Sequence, residues 1–140
     1  MKKLGLLLLL LLAVLTGCAG AGVPAVEDCG WTLSSVQGGE NGQVVACEPD
    51  RQTENPSAAV LEMDCTAKDG TITLTDRTNG KTYTGTYALE AADPESKTYF
   101  VALEGEEGLA VCGNTTFYDG SAAPTFIIRF DDYVLNFTAA

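Results

Sequence analysis

The side chains able to do chemistry in this chain of 140 residues are 5 cysteines and 19 acids, with no histidine beside them. Without an imidazole there is no Ser-His-Asp or Cys-His nucleophile and no His-ligated metal centre. Cys18, Cys29, Cys47, Cys65 and Cys112 include no C-x-x-C pair, which removes dithiol redox catalysis and the usual structural zinc spacing. Four cysteines follow Cys18, and an even number in an exported domain suggests two disulfides among three connectivities. We expect Cys29 with Cys47, closing a polar loop, and Cys65 with Cys112, joining a middle strand to a late one. A host living without oxygen would keep all four as thiols.

Carboxylate pairs are the remaining chemistry. Glu62 and Asp64 fall on one strand face, and Asp131-Asp132 fall in a turn. Outward acids on alternating strands are solvated surface by default. No D-x-[DN]-x-[DN]-G run is present, so no calcium loop is predicted. The expectation is a protein that is not an enzyme, with no catalytic residue, metal or cofactor.

The elements that must position these residues are strands. Turn signals recur at short intervals, and the segments between them alternate apolar with polar, the pattern of an all-β domain. Cys29, Trp31 and Leu33 alternate with Gly30, Thr32 and Ser34 and lead to Val36. Residues 37–57 form a long polar loop carrying at most one short strand over 44–47. Further strands are expected over 59–65, 71–76, 82–89, 98–103, 109–118 and 125–130, with a last one carrying Tyr133, Leu135 and Phe137. Asp69-Gly70, Asn79-Gly80 and Asp131-Asp132 are the tight turns. Eight strands, or nine with the short one, joined by short loops make an antiparallel up-and-down meander. Such a meander closes into a small barrel that removes exposed edges; a two-sheet sandwich is the alternative. Trp31, Tyr83, Tyr87, Phe126, Phe130, Tyr133 and Phe137 fall on inner faces, where they line a ligand pocket or form plain core.

Residues 1–17 precede this domain as a helical signal peptide. Lys2 and Lys3 give a basic start, an apolar run follows, and it is too short for the roughly 20 residues a membrane-spanning helix needs. The ending Leu15-Thr16-Gly17-Cys18 resembles the lipobox of bacterial lipoproteins, where the cysteine is acylated and becomes the new N-terminus. The resemblance implies a lipid on Cys18, a flexible tether over 18–28 and a single domain over 29–140, held at the extracytoplasmic face of the cell membrane, periplasmic or cell-surface. Removing 1–17 takes Lys2 and Lys3 from the 8 basic side chains, leaving 6 against 19 acids, a net charge of −13. That charge repels phosphate backbones, so nucleic acid is not an expected partner, and it attracts basic proteins.

From Trp31-Thr32-Leu33-Ser34-Ser35-Val36 onward, the chain looks like a lipocalin-like domain of bacterial lipoproteins. The long first loop and the meander ending in an aromatic strand carry the rest of the likeness. It implies that Trp31 packs across the closed end of a barrel and that residues 37–57 act as a lid. The function expected is a non-enzymatic lipoprotein that binds a small apolar ligand or a partner through the barrel. The alternative is an acidic interaction or inhibitor domain directed at a basic partner such as lysozyme.

Overall fold

The computed structural model describes residues 22–38 and 41–140. The expected signal peptide and the lipidation of Cys18 lie outside the described residues. Ten strands run in chain order: β1 (Trp31–Gly38), β2 (Gln43–Cys47), β3 (Ala59–Val60), β4 (Met63–Lys68), β5 (Thr71–Asp76), β6 (Lys81–Ala92), β7 (Lys97–Leu103), β8 (Glu106–Thr116), β9 (Ala122–Arg129) and β10 (Tyr133–Ala139). Eight of them, in the order β10-β9-β8-β7-β6-β5-β4-β1, close into an antiparallel barrel because β1 also pairs with β10. That closure rules out the two-sheet sandwich.

Local chemistry sets the turns. Asp69 and Gly70 both take positive φ, 51° and 81°, the geometry of a two-residue hairpin whose twist matches its strands. Glu104 and Gly105 do the same at 50° and 84°, so only these two residues separate β7 from β8, which begins at Glu106 instead of at the expected 109. At Asp131-Asp132 the chain reverses tightly, with the Phe130 amide donating to the Tyr133 carbonyl at 2.8 Å.

Within residues 37–57, the stretch expected to act as a lid, residues 43–47 form β2 and belong to the wall. β2 pairs antiparallel with the second half of β1, where β4 has left that edge, and β3 pairs parallel with β2. β2 and β3 therefore extend the wall, joined by a connection that carries a short 3-10 turn, Pro49–Arg51. The single strand expected over 59–65 is correspondingly split into β3 and β4. Nor is the tether free as far as residue 28. Val26 is fully buried in a short 3-10 turn, Val26–Asp28, which plugs one end of the barrel. The Trp31 indole N–H donates to the Val26 carbonyl at 2.9 Å, the Val26 amide donates to the Tyr99 hydroxyl at 3.1 Å, and Lys97 Nζ donates to the Val23 carbonyl.

The expected disulfides are absent. Cys47, Cys65 and Cys112 are free, buried thiols, so neither Cys29–Cys47 nor Cys65–Cys112 forms. Cys29 belongs to the barrel core, whereas Cys47 lies outside it. Ala46 packs on the core, and its successor must point to the other face of β2. Cys65 and Cys112 are both core residues, but β4 and β8 stand four strands apart in either direction around the ring. Eight tilted strands at their usual spacing give a barrel roughly 16 Å across, against the roughly 7 Å between Cα atoms that a disulfide tolerates.

Burial pushes the Cys65 and Cys112 thiols from an ordinary 9.0 up to about 12. The charge of a Cys112 thiolate across the barrel adds to the rise at Cys65. A raised folded value means stability that is complete below pH 9 and falls as pH rises toward 12. Urea melts between pH 8 and 11 should show that decline, and Cys65→Ala with Cys112→Ala should flatten it. In the same protein at pH 8, iodoacetamide should leave Cys47, Cys65 and Cys112 unmodified until denaturant is added. Labelling of these thiols in the native state would contradict their burial.

Candidate functional site

The barrel has one filled end and one hollow end. Around the 3-10 plug, Trp31, Phe126 and Phe137 are at most 1 % exposed. Ring centroids lie 5.5 Å apart for Trp31–Phe126 and 6.3 Å apart for Phe126–Phe137. Tyr99 completes the cluster, 6.5 Å from Phe126 and edge-on to Tyr87 at 6.0 Å. These contacts have the offset and tilted geometry that aromatic rings prefer, and they leave this end packed.

At the other end, the turns after β5, β7 and β9 surround an open cavity of about 490 Å³. Its walls are Val36 from β1, Met63 from β4, Leu74 from β5, Tyr83 from β6, Leu103 from β7 and Tyr133 and Leu135 from β10. Leu61 and Phe130 reach in from the flanking connections. Cavities of this size, largely apolar with a few polar groups, are where small molecules bind. A larger depression of about 800 Å³ lies outside the wall, bounded by outward residues such as Phe100, Leu109 and Arg129. It is a surface groove.

The seven predicted aromatics are thus divided between two jobs. Trp31, Phe126 and Phe137 are core at the packed end, and Tyr87 packs beside them against Tyr99. Tyr83, Phe130 and Tyr133 line the cavity. Leu89, on the same side of β6 as Tyr83 and Tyr87 by alternation, is nevertheless 57 % exposed, because β6 runs past the end of the barrel and its pairing shifts between Leu89 and Ala91. Tyr99 and the aliphatic cavity walls were not singled out by the aromatic pattern. Tyr99, Val101 and Leu103 do alternate, but Tyr99-Phe100 offers an aromatic to either face.

Two groups of acids take defined places. Glu62 and Asp64 share a face, as expected, and Arg77 Nε meets Asp64 at 2.9 Å while its guanidinium lies 3.9 Å from Glu62. These half-exposed pairs contribute little. Asp76 is different: only 4 % exposed, it reaches the cavity from the end of β5. Burial raises its carboxyl, but hydrogen bonds from the Asn79 side chain and from the Asn79 and Thr78 amides, with the Lys81 charge, outweigh that and hold it below its ordinary value. Both Asn79 bonds are 2.9 Å.

Asp76→Ala strands those donors and is expected to cost about 1–3 kcal/mol at pH 7. A lowered folded pKa gives stability that is present above the ordinary carboxyl value and lost as pH falls through the folded one. Urea melts of parent and variant should therefore converge below pH 3.8. Equal midpoints at pH 7 would deny Asp76 its anchoring role.

Among the described residues, no group of three or more cysteines and acids is placed to hold a metal ion. No protein-family model, no curated protein and no solved structure matches this chain.

Proposed function

We propose that this protein is a non-enzymatic, membrane-anchored extracytoplasmic lipoprotein whose barrel binds a small apolar ligand at its hollow end. The cavity of about 490 Å³ carries this reading, walled mainly by aliphatic and aromatic side chains opposite a packed floor. Rigid walls favour binding because they are hydrogen-bonded strands that need no ordering when a ligand enters. The leader supports the anchoring: its apolar run and Leu-Thr-Gly-Cys ending match a lipobox. Native mass spectrometry of the exported, gently purified protein tests the binding. An added mass, lost when Leu103 is replaced by tryptophan to fill the cavity, is the expected result. A bare mass, together with no shift in melting temperature across a panel of apolar compounds, would overturn it.

A second reading rests on charge. The whole chain carries a net −11, a field suited to a basic protein partner such as a lysozyme. Slowing of a basic muramidase that weakens steeply with added salt would support it; no slowing at low salt would remove it.

A further inference from the structure

We propose that the ligand of the hollow end is a single-chain amphiphile with a cationic head. Its tail would lie in the apolar cavity and its ammonium group in an acidic recess beside it. The inference rests on the ligand-binding reading above and adds the chemical class. The recess, about 490 Å³, is bounded by Gly105, Glu106, Glu107, Asp131 and Asp132. Glu106 also lines the apolar cavity, so the two compartments meet at one side chain. One compartment is built for a hydrocarbon and the other presents four carboxylates.

An acidic turn on a strand protein is ordinarily just hydrated surface. Here its position on the lip of an apolar cavity gives it a consequence. Any amphiphile that buries its tail must leave its head against Glu106 and its neighbours. A carboxylate or phosphate head would add to like charge already crowded there, whereas a cation relieves it. Asp76 and Glu104 extend the same sign along the cavity wall.

The nearby bases do not cancel this field at the lip. Lys81 stands opposite Asp76 in the β5–β6 register, and Arg77 is drawn to Asp64. Arg129 shares the outer groove with Glu107, Asp131 and Asp132, a single base against three of the four acids, and among the described residues it is ion-paired with none of them. Tyr83, Phe130 and Tyr133 line the adjoining apolar cavity, and an aromatic ring attracts an ammonium group within about 6 Å of its centre. Among the described residues these acids are not grouped to chelate a metal ion, which favours a diffuse organic cation.

The test is calorimetric titration of the purified protein at low salt with decyltrimethylammonium and decanoate, each below its micelle concentration, and with decanol below its solubility limit. The ammonium compound should bind at least 10-fold more tightly than decanol, and decanoate should bind most weakly. Glu106→Gln with Glu107→Gln should bring the ammonium affinity down to that of decanol and leave decanol unchanged. Glu90→Gln with Glu95→Gln removes the same charge from the end of β6 and the turn that follows it, and should preserve the preference. Equal binding of ammonium and decanol would overturn the cationic head while sparing the ligand site. Equal losses from the two pairs of substitutions would also overturn it, since net charge alone would then explain the preference. Binding of none of the three compounds would sink the ligand reading and this inference together. If the Glu106/Glu107 variant melts below the working temperature, Asp132→Asn tests the same recess.

Discussion

Trp31→Ala is expected to lower the unfolding free energy by about 3–5 kcal/mol, the usual cost of truncating a buried tryptophan. Small domains hold only about 5–15 kcal/mol in total, so the variant should be near half unfolded at temperatures where the parent is intact. Two losses combine. The ring, 1 % exposed, fills the packed end against Phe126 at 5.5 Å, so alanine leaves a cavity. The indole N–H also holds the Val26 carbonyl at 2.9 Å and thereby fastens the N-terminal plug. Trp31→Phe separates the two, keeping a ring and losing the hydrogen bond. Urea titrations followed by far-ultraviolet circular dichroism are the appropriate readout, because the chain has a single tryptophan and fluorescence disappears with it. Limited proteolysis should cut near Val26 faster in both variants. A loss below about 1 kcal/mol for Trp31→Ala would contradict the packed floor.

The barrel was legible because period-2 alternation and turn chemistry agree along most of the chain. Ile72, Leu74, Phe126 and Ile128 alternate cleanly and are buried, and Asp69-Gly70 turns where its residues prefer positive φ. Alternation fixes which face a residue takes but not how far along the barrel axis it lies. For that reason the seven aromatics read as one group, pocket lining or plain core, when Trp31, Tyr87, Phe126 and Phe137 belong to the floor and Tyr83, Phe130 and Tyr133 to the mouth. The hollow end was harder still, since Leu61, Leu103 and Leu135 look like core in any strand. Cysteine parity misled for a related reason. Four cysteines in a chain expected to be exported suggest pairing, but whether two sulfurs meet depends on strand order around a closed ring. The plug was hidden by composition: the small residues before Val26 read as a linker, and contacts with the Trp31, Tyr99 and Lys97 side chains fix the segment in place.

Gly85→Ala is expected to be the most damaging single-methyl change in the barrel. A Cβ at Gly85 would sit 1.9 Å from the Ala102 carbonyl oxygen and 2.9 Å from both the Ala102 carbonyl carbon and the Leu103 Cα. All three are backbone atoms of β7, the strand paired with β6 at this point through Gly85 and Leu103. No rotamer change relieves that overlap, so the two strands must part and lose ladder hydrogen bonds. Overpacking of well-fitted sites typically costs 1–3 kcal/mol, and a backbone obstruction places this one at about 3 kcal/mol or above. The effect should reach the site as well, because Leu103 and the adjoining Tyr83 both face the cavity. Gly113→Ala is the matched control. There the nearest atom to an added Cβ is the Glu95 oxygen at 3.8 Å, an ordinary contact. At such a position alanine gains about 0.4–1 kcal/mol by restricting the unfolded chain. Thermal melts should therefore move in opposite directions for the two substitutions. If they move together, the close approach of β6 and β7 at Gly85 is not what shapes this wall, and curvature must come from the shifted pairing at Leu89.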